Sequence, residues 1–233
     1  MMKIAIMQPY IFPYIGYFQL LNTVDKFVIY DDVNFINKGW INRNRILMNQ
    51  KDYTFTIPLK DASQNKLINT IELNWDLAWK GKFLKSIEQS YKKAPFYEMV
   101  IPIIQKSLNF ENDNLSLLIF ENLKLICDYL NIKTPIVSSS TIYKNTHLKA
   151  QDRILDICLQ EKVTTYINPI GGMELYEKAI FQKQNIDLFF IKSKSITYPQ
   201  FKNEFVPWLS IIDILMFNSV EKINEFLQEY ELL

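Results

Sequence analysis

Short apolar runs alternate with longer segments of helical period along the chain. Residues 3–8 (KIAIMQ) and 27–30 (FVIY) read as strands, and 17–23 (YFQLLNT) between them reads as a helix starting beside Gly16. This is a strand–loop–helix–strand unit, and such apolar runs between helices suit parallel strands. Residues 135–138 (PIVS), 164–168 (TTYIN) and 186–192 (IDLFFIK) supply three further strands, separated by helical patterns over 152–161 and 174–184. Helices over 208–217 and 220–230 close the chain, with Asn218 at the break between them.

Two segments interrupt this alternation. Residues 38–45 (KGWINRNR) read as a polar loop, and 52–59 (DYTFTIPL) and 67–73 (LINTIEL) as an antiparallel hairpin in an insertion over 50–75. Residues 77–91, 96–108 and 114–130 then form a helical insertion, 76–131, in which Asn74 or Asp76 is positioned to cap the first helix. No Gly/Ser-rich linker or internal repeat marks a boundary, so residues 1–233 read as one α/β domain. Right-handed crossovers favour the strand order 3-2-1-4-5, and ligands of such sheets sit beyond the carboxyl ends of the first and fourth strands. That gathers residues 8–16, Asp31, Asp32, residues 138–140, residues 168–172 and the segment after Lys192 around one crevice.

Composition narrows the classes. A hydrophobic fraction of 48% with 14% aromatics supports a sizeable core and excludes disorder. A formal net charge of +1 gives no bulk attraction to nucleic acid or to anionic membrane. No run reaches membrane-span length and none has signal-peptide form, so a cytoplasmic location without membrane contact is the expectation. Cys127 and Cys158 lie in apolar helical patterns and read as buried thiols. His147 is the single histidine and no close cysteine pair accompanies it, so no metal site is expected.

The chemistry-bearing residues cluster. Gln8, Pro9, Tyr10, Phe12 and Tyr14 form a proline-stiffened aromatic loop, suited to stacking on a base or sugar face or to covering the sheet end. Gly16 and Tyr17 follow at the helix start, where a glycine permits close approach. Asp31 and Asp32 end the second strand on opposite faces, so one is a candidate general base and the other a turn cap. Lys38, Asn42, Arg43 and Arg45 are the dense basic group; the two arginines share a face if extended, and their forks suit a phosphate. Asn168, Gly171, Gly172 and Glu174 mark a strand–glycine–helix junction whose backbone N–H groups suit an anion, or a plain tight turn. Ser138 lies at the third strand end, and Tyr198 and Gln200 are placed to fold over the crevice mouth. Trp40, Trp75 and Trp79 read as packing.

MQPYIFPYIGYFQLLNTVDKFVIYDDVNFINKGWINRNRI, TTYINPIGGMELY and ITYPQFKNEFVPWLSIIDILMFN together resemble the WbqC-like proteins of bacteria, across the whole chain. The resemblance implies a role in O-antigen and related surface-polysaccharide biosynthesis, near nucleotide sugars. The expected function is transfer of an acyl or aminoacyl group to a nucleotide-linked amino sugar. Asp31 or Asp32 would take the amine proton, the backbone near Gly171 and Gly172 would hold the oxyanion, and an acyl or aminoacyl donor would be the second substrate. Nucleic acid is not an expected partner, although tRNA stays open as an aminoacyl donor. A weaker likeness is to nucleotidylyltransferases and class I synthetases, where an H-x-G-H motif stands in the place of Tyr14-Ile15-Gly16-Tyr17. It implies a five-stranded parallel Rossmann-like sheet with helices on both faces. Two tyrosines in place of histidines favour nucleotide binding over nucleotidyl transfer. A degenerate nucleotidyltransferase and a non-catalytic nucleotide-sugar binder are the alternatives.

Overall fold

Side-chain alternation along the strands decides the layers. Ile4, Ile6, Val28, Tyr166, Leu188 and Phe190 pack into one apolar cluster, and Ala5, Phe27, Ile29, Ile167 and Ile191 into another. A sheet apolar on both faces must be covered on both, and helices do so here. This computed structural model describes residues 2–202 and 204–233.

The chain opens with β1 (Lys3–Met7), α1 (Ile15–Thr23) and β2 (Lys26–Ile29). A hairpin of β3 (Arg43–Met48) and β4 (Lys51–Thr56) follows, then the short pair β5 (Leu59–Lys60) and β6 (Glu72–Leu73). Three helices come next: α2 (Leu77–Tyr91), α3 (Tyr97–Leu108) and α4 (Leu115–Leu130). Asp76 caps α2 by accepting from Trp79 N at 2.7 Å. The remainder is β7 (Ile136–Val137), α5 (Ala150–Gln160), β8 (Thr165–Pro169), α6 (Lys178–Gln182), β9 (Asp187–Ser193), α7 (Ile211–Phe217), α8 (Val220–Phe226) and β10 (Tyr230–Leu232).

The central sheet runs β10-β9-β8-β1-β2-β7. Five strands are parallel, in the order expected, and β10 pairs antiparallel with β9. The sheet is therefore six-stranded and mixed, and the helix expected over 220–230 stops at Phe226. The helix expected from 208 starts at Ile211, capped by Ser210.

Two further expectations are corrected. Most of the segment 52–59 pairs with Arg43–Met48, because Asn49 and Gln50 both take left-handed φ (50° and 65°) and close a tight two-residue turn; of the expected pairing with 67–73, the end is present, Leu59 against Leu73. The supposed loop 38–45 therefore ends in a strand. The helix expected over 174–184 is a 3-10 turn, Ile170–Leu175, followed by the short α6. Tyr176 is extended between them, where its ring meets those of Tyr166 and Phe181 edge-on.

Candidate functional site

β1 and β8 lie side by side at the centre of the sheet. The chain leaves β1 for α1 on one face, and leaves β8 for α6 on the other, where Phe181 is buried. The loops diverge and leave a crevice at the strand ends. A cavity of about 570 Å³ occupies it, lined by Gln8, Tyr10, Tyr30, Asn168, Gly171, Gly172 and Tyr176, with Ile6, Ile36 and Ile154 among its apolar walls. Its ionisable lining residues are tyrosines. Burial pushes the phenols of Tyr10, Tyr30 and Tyr176 above their ordinary range, so each stays a neutral hydrogen-bond donor.

Asn168 is fixed by Tyr166, whose hydroxyl donates to Oδ1 at 3.0 Å. A Cβ on Gly172 would lie 2.0 Å from Asn168 Nδ2, so glycine there admits the asparagine beneath the turn. Gly171 and Gly172 lie inside the 3-10 turn, so they do not open an α-helix as expected. Glu174 is exposed.

A second pocket, about 240 Å³, adjoins the first through Tyr10, which lines both. Its other walls are Pro13, Tyr14, Trp40, Asn44, Arg45 and Trp208. The guanidinium carbons of Arg43 and Arg45 stand 5.4 and 5.6 Å from the Trp40 ring centroid. The two arginines share one face of β3, as two-residue spacing requires. Arg45 pairs with Asp52 at 3.2 Å and donates to the Trp208 carbonyl at 3.1 Å, while its Nε is buried with no hydrogen-bond partner. Arg43 is turned back onto the carbonyls of Lys38 and Gly39 and does not line the pocket.

Bulky aromatics hold left-handed backbone around this pocket: Phe12 at φ 41° and Trp208 at φ 59°. Such geometry is costly for non-glycine residues and persists where neighbours enforce it. The Phe12 carbonyl accepts from Asn44 Nδ2 at 2.9 Å and Ser210 Oγ at 2.7 Å, and its N–H donates to Asn122 at 3.0 Å. Trp40 and Trp208 are 41% and 59% exposed, a large apolar area open to water. Trp40 was expected to pack, and Trp208 ends a segment, 205–208, expected either to fold over the crevice mouth or to pack. The sequence signal for them was a tryptophan set among arginines and another after Val206-Pro207.

Several expected ligand contacts serve the scaffold. The Phe12 side chain is buried and packs on Phe55, and Tyr17 is buried with its hydroxyl on the Gln8 carbonyl at 3.0 Å. Pro9 is buried and Asn42 donates to the Ile57 carbonyl at 2.8 Å. Lys38 is exposed and Ser138 half-buried, and neither lines either pocket. Gly16 makes room for a side chain rather than a ligand: a Cβ there would lie 2.3 Å from the Tyr14 ring and 2.6 Å from Ser193 Oγ. Gly16→Ala should displace Tyr14 from the pocket wall and cost about 1–3 kcal/mol, the usual overpacking range, read from denaturant midpoints. An unchanged midpoint would show that the ring yields freely.

Both aspartates are buried behind the cavity rather than along it. Asp31 accepts from Ser116 Oγ and Ser139 Oγ, each at 2.7 Å, and from Ser140 N at 3.2 Å. Burial pushes its carboxyl above the ordinary range, with these hydrogen bonds pulling the other way. Asp32 forms an ion pair with Arg153, off linear hydrogen-bond geometry, and accepts from Ser140 Oγ. Arg153 also donates to the Asp32 carbonyl at 3.1 Å and lies 4.9 Å from the Tyr30 ring centroid.

Asp31→Asn should preserve the fold, because serine hydroxyls accept as readily as they donate. The raised folded-state pKa means that the stability Asp31 contributes is fully present below 3.8 and is lost as pH rises through the raised value. Wild type should therefore lose stability relative to Asp31→Asn across that window. Urea midpoints taken over a pH series check this, and a constant offset between the two proteins would contradict it.

The fold and site define an α/β protein with a strand-end crevice and an adjoining aromatic pocket. The chain belongs to the WbqC-like protein family, which matches residues 8–225. It is 31% identical over 219 residues to the uncharacterized protein Rv1507c of Mycobacterium tuberculosis, covering 92% of this chain and 93% of that one. No solved structure gave a significant match. Among the described residues no helix is long and apolar enough to cross a membrane.

Proposed function

We propose that this protein binds a nucleotide-linked amino sugar across the two joined pockets and transfers an acyl or aminoacyl group to its amine. The observation that carries the reading is the shared wall at Tyr10: an aromatic pocket bearing Arg45 opens beside a cavity at the strand ends whose largely apolar walls carry three phenols and Asn168. The base would stack against Trp40, Tyr14 and Trp208, and the diphosphate would meet Arg45. The sugar would lie among Tyr10, Tyr30, Asn168 and Tyr176, whose donors suit hydroxyl groups. In the transfer step the amine lone pair attacks the donor carbonyl, the new C–N bond forms, and the donor's leaving group departs with the amine proton. Asp31 is the candidate to relay that proton, through Ser139 at its partly exposed side.

Incubating the protein with dTDP- or UDP-linked amino sugars and thioester or aminoacyl donors, with mass detection of N-acylated product, tests this reading. Product formation is expected, and Asp31→Asn should slow it. Unchanged turnover in a folded Asp31→Asn protein removes the base role. Binding without turnover is the second reading, favoured by the commitment of Asp32 to Arg153 and by a cavity whose ionisable groups are phenols alone.

A further inference from the structure

Asp213 on α7 is fully buried, and its partners are three neutral donors. Tyr91 donates to Oδ1 at 2.9 Å; Tyr198 and Gln200 Nε2 donate to Oδ2 at 2.6 and 2.7 Å. An ionised carboxylate is the one side chain that accepts all three while donating nothing. Burying a charge against neutral partners is costly.

The bonds beyond Asp213 show what is fixed. Tyr91 accepts from Leu47 N at 2.7 Å, which reaches β3 beside Arg45. Gln200 clamps Val206 twice, accepting from its N at 2.7 Å and donating to its carbonyl at 3.1 Å. Two residues on, the Trp208 carbonyl accepts from Arg45. Ser210 then ties the loop to the remaining walls, donating from N to the Arg45 carbonyl at 2.8 Å and from Oγ to the Phe12 carbonyl. Hydrogen bonds, joined by the short chain segment from Val206 to Ser210, thus link Asp213 to β3, to the Trp208 wall and to the Phe12 carbonyl.

We infer that Asp213 is the positioning residue of the aromatic pocket: through Tyr198 and Gln200 it holds Val206, and with it Trp208, so that Trp208 forms a preset wall. Tyr198 and Gln200 act through this carboxylate rather than by reaching a ligand. The inference gives the proposed nucleotide a rigid stacking surface and in that respect rests on the proposed function. The placement of Trp208 stands apart from it and is measured without ligand.

A Trp75→Phe/Trp79→Phe background leaves Trp40 and Trp208, both on the pocket, as the emitting residues. Tyr198→Phe keeps the ring packed on Phe205 and Phe217 but deletes one donor to Asp213. In it, acrylamide quenching should rise about twofold as the loop loosens locally. Asp213→Asn should shift quenching the same way, and if it fails to fold, Tyr198→Phe decides alone. Tyr143→Phe is the control, since it deletes a comparable bond to Glu161 (2.6 Å) remote from the pocket. It should leave quenching unchanged. Unaltered quenching in Tyr198→Phe, or an equal rise in Tyr143→Phe, overturns the inference whatever the protein binds.

Discussion

Asp32→Ala should cost about 3–5 kcal/mol of stability, the range for removing one partner of a buried ion pair. Arg153 is 4% exposed and would be left as a buried charge facing the Asn145 side chain and a backbone carbonyl. Domains of this kind are stable by only about 5–15 kcal/mol, so the loss is a large fraction of the whole. The double variant Asp32→Ala/Arg153→Ala should cost clearly less than the sum of the single changes, because the stranded charge is gone. Urea melts of the four proteins check this. Additive costs would show that the pair is not coupled, and would free Asp32 for another role.

Arg45→Ala should weaken nucleotide-sugar binding about 10–100-fold, the loss of one charge-assisted contact to phosphate. Arg45→Lys should not restore it, since a point charge cannot both stack on Trp40 and present a fork. Arg43→Ala should have a much smaller effect, because the Arg43 guanidinium is spent on the carbonyls of Gly39 and Lys38. Titration calorimetry on the three variants separates them, and equal losses for Arg43→Ala and Arg45→Ala would place the phosphate elsewhere.

The parallel strands and their order were legible because runs such as FVIY and IDLFFIK are short, apolar and set between helices, and crossover handedness prunes the topologies. β10 was not, since three residues at the end of a helical pattern carry no alternation of their own. The first hairpin was hidden by its turn, where Asn49-Gln50 adopts left-handed geometry without a glycine to announce it. Part of the pocket lining was visible: Gln8, Tyr10, Tyr14, Arg45, Asn168 and the glycine pair do line the pockets. The fate of the aspartates was not, because it depends on Ser116, 85 residues from Asp31, and on Arg153, 121 residues from Asp32. The segment 205–208 that ends in Trp208 was legible as crevice closure or packing, and nothing local chose between them, because Tyr198 and Gln200 upstream of it bond to Asp213 on α7.

The central claim is that the joined pockets take a nucleotide-linked sugar as one ligand. Calorimetric titration of the wild-type protein with UDP-, dTDP- and GDP-linked amino sugars, each against its free nucleoside diphosphate and free sugar, tests it most directly. At least one nucleotide sugar should bind more tightly than either of its halves, because only the whole molecule spans Tyr10. Binding of none of them, or affinity no greater than that of the free nucleoside diphosphate, would contradict the account.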